Sequence, residues 1–158
     1  MNTKKINAFL GAVLLCAVIG LSLNSCEGAF NCHEDNISAA GSNKSHNKGQ
    51  NCMVCHRSSG EGEGCFIAAG TVYDANMMNT VSSGKVDFYT GPNETGTLKQ
   101  TVFIDGKGNF YTTAKFSPEG LYPVVTGPTG NKKMMGSALS SGECNSCHGS
   151  STDKLWVD

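Results

Sequence analysis

Two short strings concentrate the reactive side chains of this sequence: Cys52-Met53-Val54-Cys55-His56 and Cys144-Asn145-Ser146-Cys147-His148. Each reads C-x-x-C-H, the attachment signature of c-type haem. The spacing serves the chemistry. Two thiols with two residues between them reach the two vinyl groups on one edge of a porphyrin, and the imidazole that follows approaches the iron from the proximal side. The expected cofactors are therefore two covalently bound haem c groups, on Cys52 and Cys55 and on Cys144 and Cys147, with His56 and His148 as proximal ligands. Three other chemistries use such cysteines. One zinc could gather all four, but the pairs lie far apart for a zinc ribbon and both carry a histidine immediately afterwards. A thioredoxin-like dithiol needs one C-x-x-C at a helix start in a βαβ pattern, which is absent. Plain disulfides suit an oxidising compartment.

The sixth iron position needs a further ligand. Only His33 and His46 remain among the histidines, and no His or Met follows His148. His46, shortly before Cys52, is the first choice. The extended reach of the chain from His46 to His56 lets it wrap around its own haem or approach the other one. For the second iron the candidates are His33, Met134 and Met135. A thioether in place of an imidazole would raise the potential of that centre. Each also has a structural reading: His33 as a surface residue, Met134 and Met135 as strand-end core residues. Met53, Met77 and Met78 are poorer candidates, and an open five-coordinate iron is the remaining alternative.

Met1 to Lys5 is short and basic, with Lys4 and Lys5, and an apolar run from Ile6 to Leu23 leads to Asn24, Ser25 and Cys26. This is the pattern of an export signal. Leu23-Asn24-Ser25-Cys26 resembles the lipobox of bacterial lipoproteins. That resemblance implies a signal peptide over 1–25, acylation of Cys26, and a chain anchored by lipid outside the cytoplasm. Glu27 in place of an inner-membrane-retaining aspartate favours the outer membrane, on its periplasmic or surface face. Cys16 leaves with the signal, and Cys32 and Cys65 are left over. By elimination they are a candidate disulfide around the first haem motif, a closure worth roughly 3 kcal/mol through the unfolded state.

The positioning elements must come from the rest of the chain. Of 158 residues, 16% are charged and 39% hydrophobic, with a formal net charge of −1, 20 glycines and 4 prolines. That balance argues against a nucleic-acid binder, which would show a basic face. With only one long apolar run, at the N-terminus, a multi-span membrane protein is excluded. Short strands are expected at 67–74, 85–89, 98–104, 109–116 and 121–126, separated by turn signals such as Asp105-Gly106-Lys107-Gly108, read as a hairpin turn. The fold class is mainly β, a small antiparallel sandwich with short helical haem-binding segments at both ends, and a resemblance carried by its strings implies the Ig-like or transthyretin-like form. The division is 1–25 signal peptide, 26–45 N-terminal tether, and 46–158 di-haem cytochrome c domain with a sandwich insert at about 66–136. Trp156 is a candidate cover for the second haem.

The strings GTVYD, DGKGNFYT and GLYPVV look like a carboxypeptidase-regulatory-like or transthyretin-like β-sandwich. Their frame, HNKGQNCMVCH before and GECNSCHG after, resembles bacterial di-haem c-type cytochromes that carry such a module between two haem motifs. The resemblance covers about residues 46–149. It implies electron transfer rather than enzymatic turnover, with other cytochromes or redox proteins as partners, the membrane reached through the lipid, and no nucleic acid. No peptidase metal motif or serine-histidine-acid set is present. Two alternatives stand beside it: a haem enzyme or ligand sensor with an open iron, and a self-associating surface or filament-forming cytochrome.

Overall fold

The computed structural model describes residues 32–157. The segment read as a signal peptide, 1–25, and Cys26, read as the lipid site, lie outside the described residues. No described helix is long and apolar enough to cross a membrane.

Six strands follow one another: β1 (Ala68–Thr71), β2 (Lys85–Tyr89), β3 (Leu98–Phe103), β4 (Asn109–Thr112), β5 (Tyr122–Thr126) and β6 (Lys132–Met134). They form two antiparallel sheets, a pair β1-β4 and a four-stranded sheet in the order β3-β2-β5-β6. Helix among the described residues is confined to a 3-10 turn at Cys52–Val54 and one α-helical turn, α1 (Cys144–Cys147), each within a C-x-x-C string.

Alternation explains the large sheet. Val86 and Phe88 of β2 point into the core, while Asp87 between them faces the other way. Asp87 is buried there but paired with Lys85 Nζ at 2.8 Å and with the Thr101 hydroxyl at 2.5 Å. Phe88, Phe110 and Ile104 are fully enclosed, each contributing roughly 1.5–3 kcal/mol by leaving water. In the small sheet the two faces serve different clusters. Ala68 and Phe110 belong to the main core, with Cys144 and Met135 packed at its margin. Ala69 and Tyr111 turn to the opposite face, with Phe66, Cys52 and Met53.

Two departures from the sequence reading concern topology. Asp105–Gly108 is a tight turn, with Gly108 N–H donating to the Asp105 carbonyl at 3.0 Å, but it is not a hairpin between partners. β3 pairs with β2 and β4 with β1, so the turn carries the chain from one sheet to the other. The Asp105 carboxylate accepts from the N–H groups of Lys107 and Asn109, which fixes a corner as readily as a hairpin. The stretch after Asn131, left without a strand, forms β6 on the edge of the large sheet.

The segment read as a tether is described from Cys32 onward, and there it is fastened to the domain. Cys32 and Cys65 are joined by a disulfide. Ser38 is buried against β4, its N–H donating to the Tyr111 carbonyl at 2.9 Å and its hydroxyl accepting from the Tyr111 N–H at 3.0 Å.

Candidate functional site

The first C-x-x-C-H string opens on a cavity of about 590 Å³, within the size range of cofactor sites. Cys52, Cys55, His56, His46, Phe66 and Tyr111 stand on its walls. His56 is buried and stacked on Phe66, with ring centroids 4.1 Å apart, and Phe66 is in turn stacked on Tyr111. Its Nδ1 lies 2.8 Å from the Glu63 carbonyl. A carbonyl only accepts, so Nδ1 carries the proton and Nε2 is left as the basic nitrogen, the arrangement that orients an iron-binding imidazole.

His46 faces His56 at 5.9 Å between ring centroids, with the planes 35° apart. Two metal–nitrogen bonds of about 2 Å, plus the distance from each nitrogen to its ring centre, require roughly 6 Å for one metal held between two imidazoles. The two rings therefore stand at about the separation that one shared metal would need. His46 is exposed, but its backbone is not loose. Asn109 Nδ2 donates to the His46 carbonyl at 3.2 Å and to the Ser45 hydroxyl at 2.9 Å, and Lys107 Nζ donates to the Ser45 carbonyl at 2.7 Å. The turn between the two sheets thus fixes the segment that carries His46.

The second string lies on a cavity of about 310 Å³ with largely apolar walls, among them Val86, Phe110, Val125, Leu139 and Leu155. Cys144, Cys147 and His148 line it, and so do Met134 and Met135. His148 Nδ1 is 3.0 Å from the Asp153 carbonyl, which again leaves Nε2 as the basic nitrogen. Trp156 lines neither cavity; its ring receives Lys133 Nζ at 3.5 Å, and Leu155 takes the wall position instead. His33 is exposed beside the Cys32–Cys65 disulfide and is on the wall of neither cavity.

Both strings are built onto the small residues of β1. Ala69 N–H donates to the Gly142 carbonyl at 3.0 Å, so the chain entering α1 runs along the edge of β1 away from β4. A Cβ on Gly142 would lie 1.9 Å from the Ile67 carbonyl oxygen, so only glycine permits this approach. Asn145 then locks the junction. Its Oδ1 accepts from Thr71 N–H at 3.0 Å, and its Nδ2 donates to the Gln50 carbonyl at 3.0 Å and to the Thr71 hydroxyl at 3.1 Å. Asn51 Nδ2 adds a bond to Glu143 Oε2 at 3.0 Å. The strings meet at this edge, while Cys52 packs on the Ala69 and Tyr111 face of the sheet and Cys144 on the Phe110 face.

The first thiol of each string is held away from the thiolate form. Burial pushes Cys52 up, and it pushes Cys144 up to about 12, with the nearby Cys52 adding to the rise. Exchange-active C-x-x-C pairs need the opposite shift. Nor do the cysteines converge on one metal: among the described residues no group of three or more His, Cys, Asp or Glu is gathered to hold an ion. Two thiols and one oriented imidazole beside each cavity are the donor set that covalent haem needs, and the residues present fit that group.

The sequence reading missed Asn109 and Asn145, although Asn145 lies inside the second string, and missed the stack of Phe66 and Tyr111. An aromatic directly after Cys65 was the one available signal. In comparisons with known proteins, no family model, no curated protein and no solved structure matches this chain.

Proposed function

We propose that this protein is a di-haem c-type cytochrome, anchored outside the cytoplasm by lipid on Cys26, that relays single electrons. The observation that carries the reading is His46 opposite His56, at the separation one iron requires, beside the two thiols of a C-x-x-C-H string. Haem supplies an iron that changes valence by one electron, which is chemistry the side chains lack. The chain's own part is attachment and positioning. Cys52 and Cys55, and Cys144 and Cys147, hold the two groups. His56 and His148 bind from the proximal side, each aimed by a carbonyl on Nδ1. Phe66 and Tyr111 cover one imidazole, and largely apolar walls line the second cavity.

The shared edge of β1 supports a relay rather than two independent sites, because one strand of small residues and one asparagine separate them. In this reading the two antiparallel sheets are a transthyretin-like module, and the partners are other cytochromes or redox proteins that meet it at the membrane surface. With His46 opposite His56, these two imidazoles would together hold the first iron, which favours relay over catalysis at an open iron.

Expression in a host with cytochrome c maturation tests the reading. Mass spectrometry and the alkaline pyridine spectrum should give two covalent haems per chain. His46→Ala should leave both attached and convert one iron to a form that binds carbon monoxide when reduced. A chain that matures without covalent haem overturns the proposal.

A further inference from the structure

We propose that Met135 Sγ is the sixth ligand of the second iron, so that the two haem sites are chemically unlike; this rests on the di-haem reading. Strand register separates the two candidate methionines. Lys133 is opposite Val125, and Met134 is opposite Val124. Val125 belongs to the main core, so the Lys133 side of β6 is the inner face and the Met134 side the outer one. Met135 N–H donates to the Pro123 carbonyl at 3.2 Å, which continues the pairing one residue further and returns Met135 to the inner face. There it packs against the same cluster as Cys144 and lines the cavity with Cys147 and His148. Met134 also reaches the rim of that cavity, but from the outer face of β6, where it is 43% exposed.

The imidazoles do not compete for this place. His148 is the only histidine on the walls of the second cavity, and His46 stands on the walls of the first. The walls are largely apolar, a setting that suits a neutral thioether. A cavity carrying one basic imidazole nitrogen, two attachment thiols and a thioether on its inner face holds a complete set for a His/Met centre. A bis-imidazole site beside a His/Met site gives two potentials rather than one, with the higher at the second iron. The pair is then a graded relay in which the electron rests next to α1.

The test uses the mature di-haem protein and three variants, M135L, M134L and M135H. The wild-type ferric protein should show the weak far-red charge-transfer band of thioether ligation. M135L should lose the band and bind carbon monoxide at one of its two reduced irons, while M134L keeps the band and binds none. M135H should lose the band, remain low-spin and closed to carbon monoxide, and show a lower potential at one centre with the other unchanged. Two covalent haems without the far-red band in the wild type, or a band that survives in M135H, overturns the Met135 assignment and leaves the di-haem reading standing. Absence of covalent haem by mass overturns the di-haem reading, and the assignment with it. The wild-type spectrum and M135H decide the matter even if M135L does not fold.

Discussion

A methyl group added at Gly62 would lie 2.7 Å from His56 Nδ1, inside the distance any such contact allows. The imidazole has no room to retreat, because Phe66 is stacked on it at 4.1 Å and the Glu63 carbonyl holds Nδ1 at 2.8 Å. Gly62 itself is pinned by its N–H on the Cys55 carbonyl at 3.0 Å. Gly62→Ala should therefore tilt the proximal ring and lower stability by about 1–3 kcal/mol, the usual effect of overpacking. Electron paramagnetic resonance of the ferric protein should show one high-spin iron where the parent shows none, and an unchanged low-spin spectrum would mean that the ring is not fixed in this way. At this scale the sequence was legible where the chemistry is contiguous. Cys52, Cys55 and His56 can be picked out as a candidate site by spacing alone. Gly62 and the Glu63 carbonyl cannot, because a close approach and a carbonyl acceptor are properties of a closed loop and leave no mark on residue type; for Phe66 the one mark is an aromatic after Cys65.

Among the elements, β1 decides most. Its four residues, Ala68 to Thr71, are all buried, pair with β4 on one side and receive the approach to α1 on the other. Asn145 makes three bonds across that junction, to Thr71 N–H, the Thr71 hydroxyl and the Gln50 carbonyl. Asn145→Ala would leave the Thr71 N–H and the Gln50 carbonyl without these partners. The expected loss is about 1–3 kcal/mol, read as a lower urea midpoint with an unchanged slope. Asn145→Asp should recover only the bond from Thr71 N–H. A midpoint equal to the parent's in Asn145→Ala would show that the junction holds without it. The short strands themselves could be read from alternation and glycine turns, as β2 and β5 were. Which strands pair could not. Asp105–Gly108 has the local grammar of a hairpin, but β4 finds its partner in β1, far back in the chain, and local turn chemistry is silent about that choice. β6 was given no range, although Met134 and Met135 had a strand-end reading, because Lys132, Lys133 and Met134 form too short a run to alternate visibly.

The molecule as a whole treats its two sites differently. The first site hangs on a loop: the Cys32–Cys65 disulfide closes 33 positions of chain that contain His46, Cys52, Cys55 and His56. The second is set in packed structure, with Cys144 and Met135 against the main core and α1 on β1. Motif positions alone did not tell whether the sites lie together, because the order of strands decides that. Once β1 pairs with β4, the strings that flank the sheets meet at one edge. Removing the disulfide with the double variant C32S/C65S should release the unfolded chain from a restraint worth roughly 3 kcal/mol, a fall in the melting temperature on the order of 10 °C. The ligand effects should divide in the same way. The bond that draws Cys65 toward Cys32 helps to fix Phe66 and the Glu63 carbonyl, so at moderate temperature the first iron should begin to bind carbon monoxide. Hydrogen bonds from Asn109 and Lys107 still hold the segment around His46, which keeps that opening partial. The second site has no covalent dependence on the N-terminal segment, and its far-red band should persist until global unfolding. Loss of both signatures at one temperature would mean that the two sites share a single cooperative unit and that the disulfide stabilises them equally.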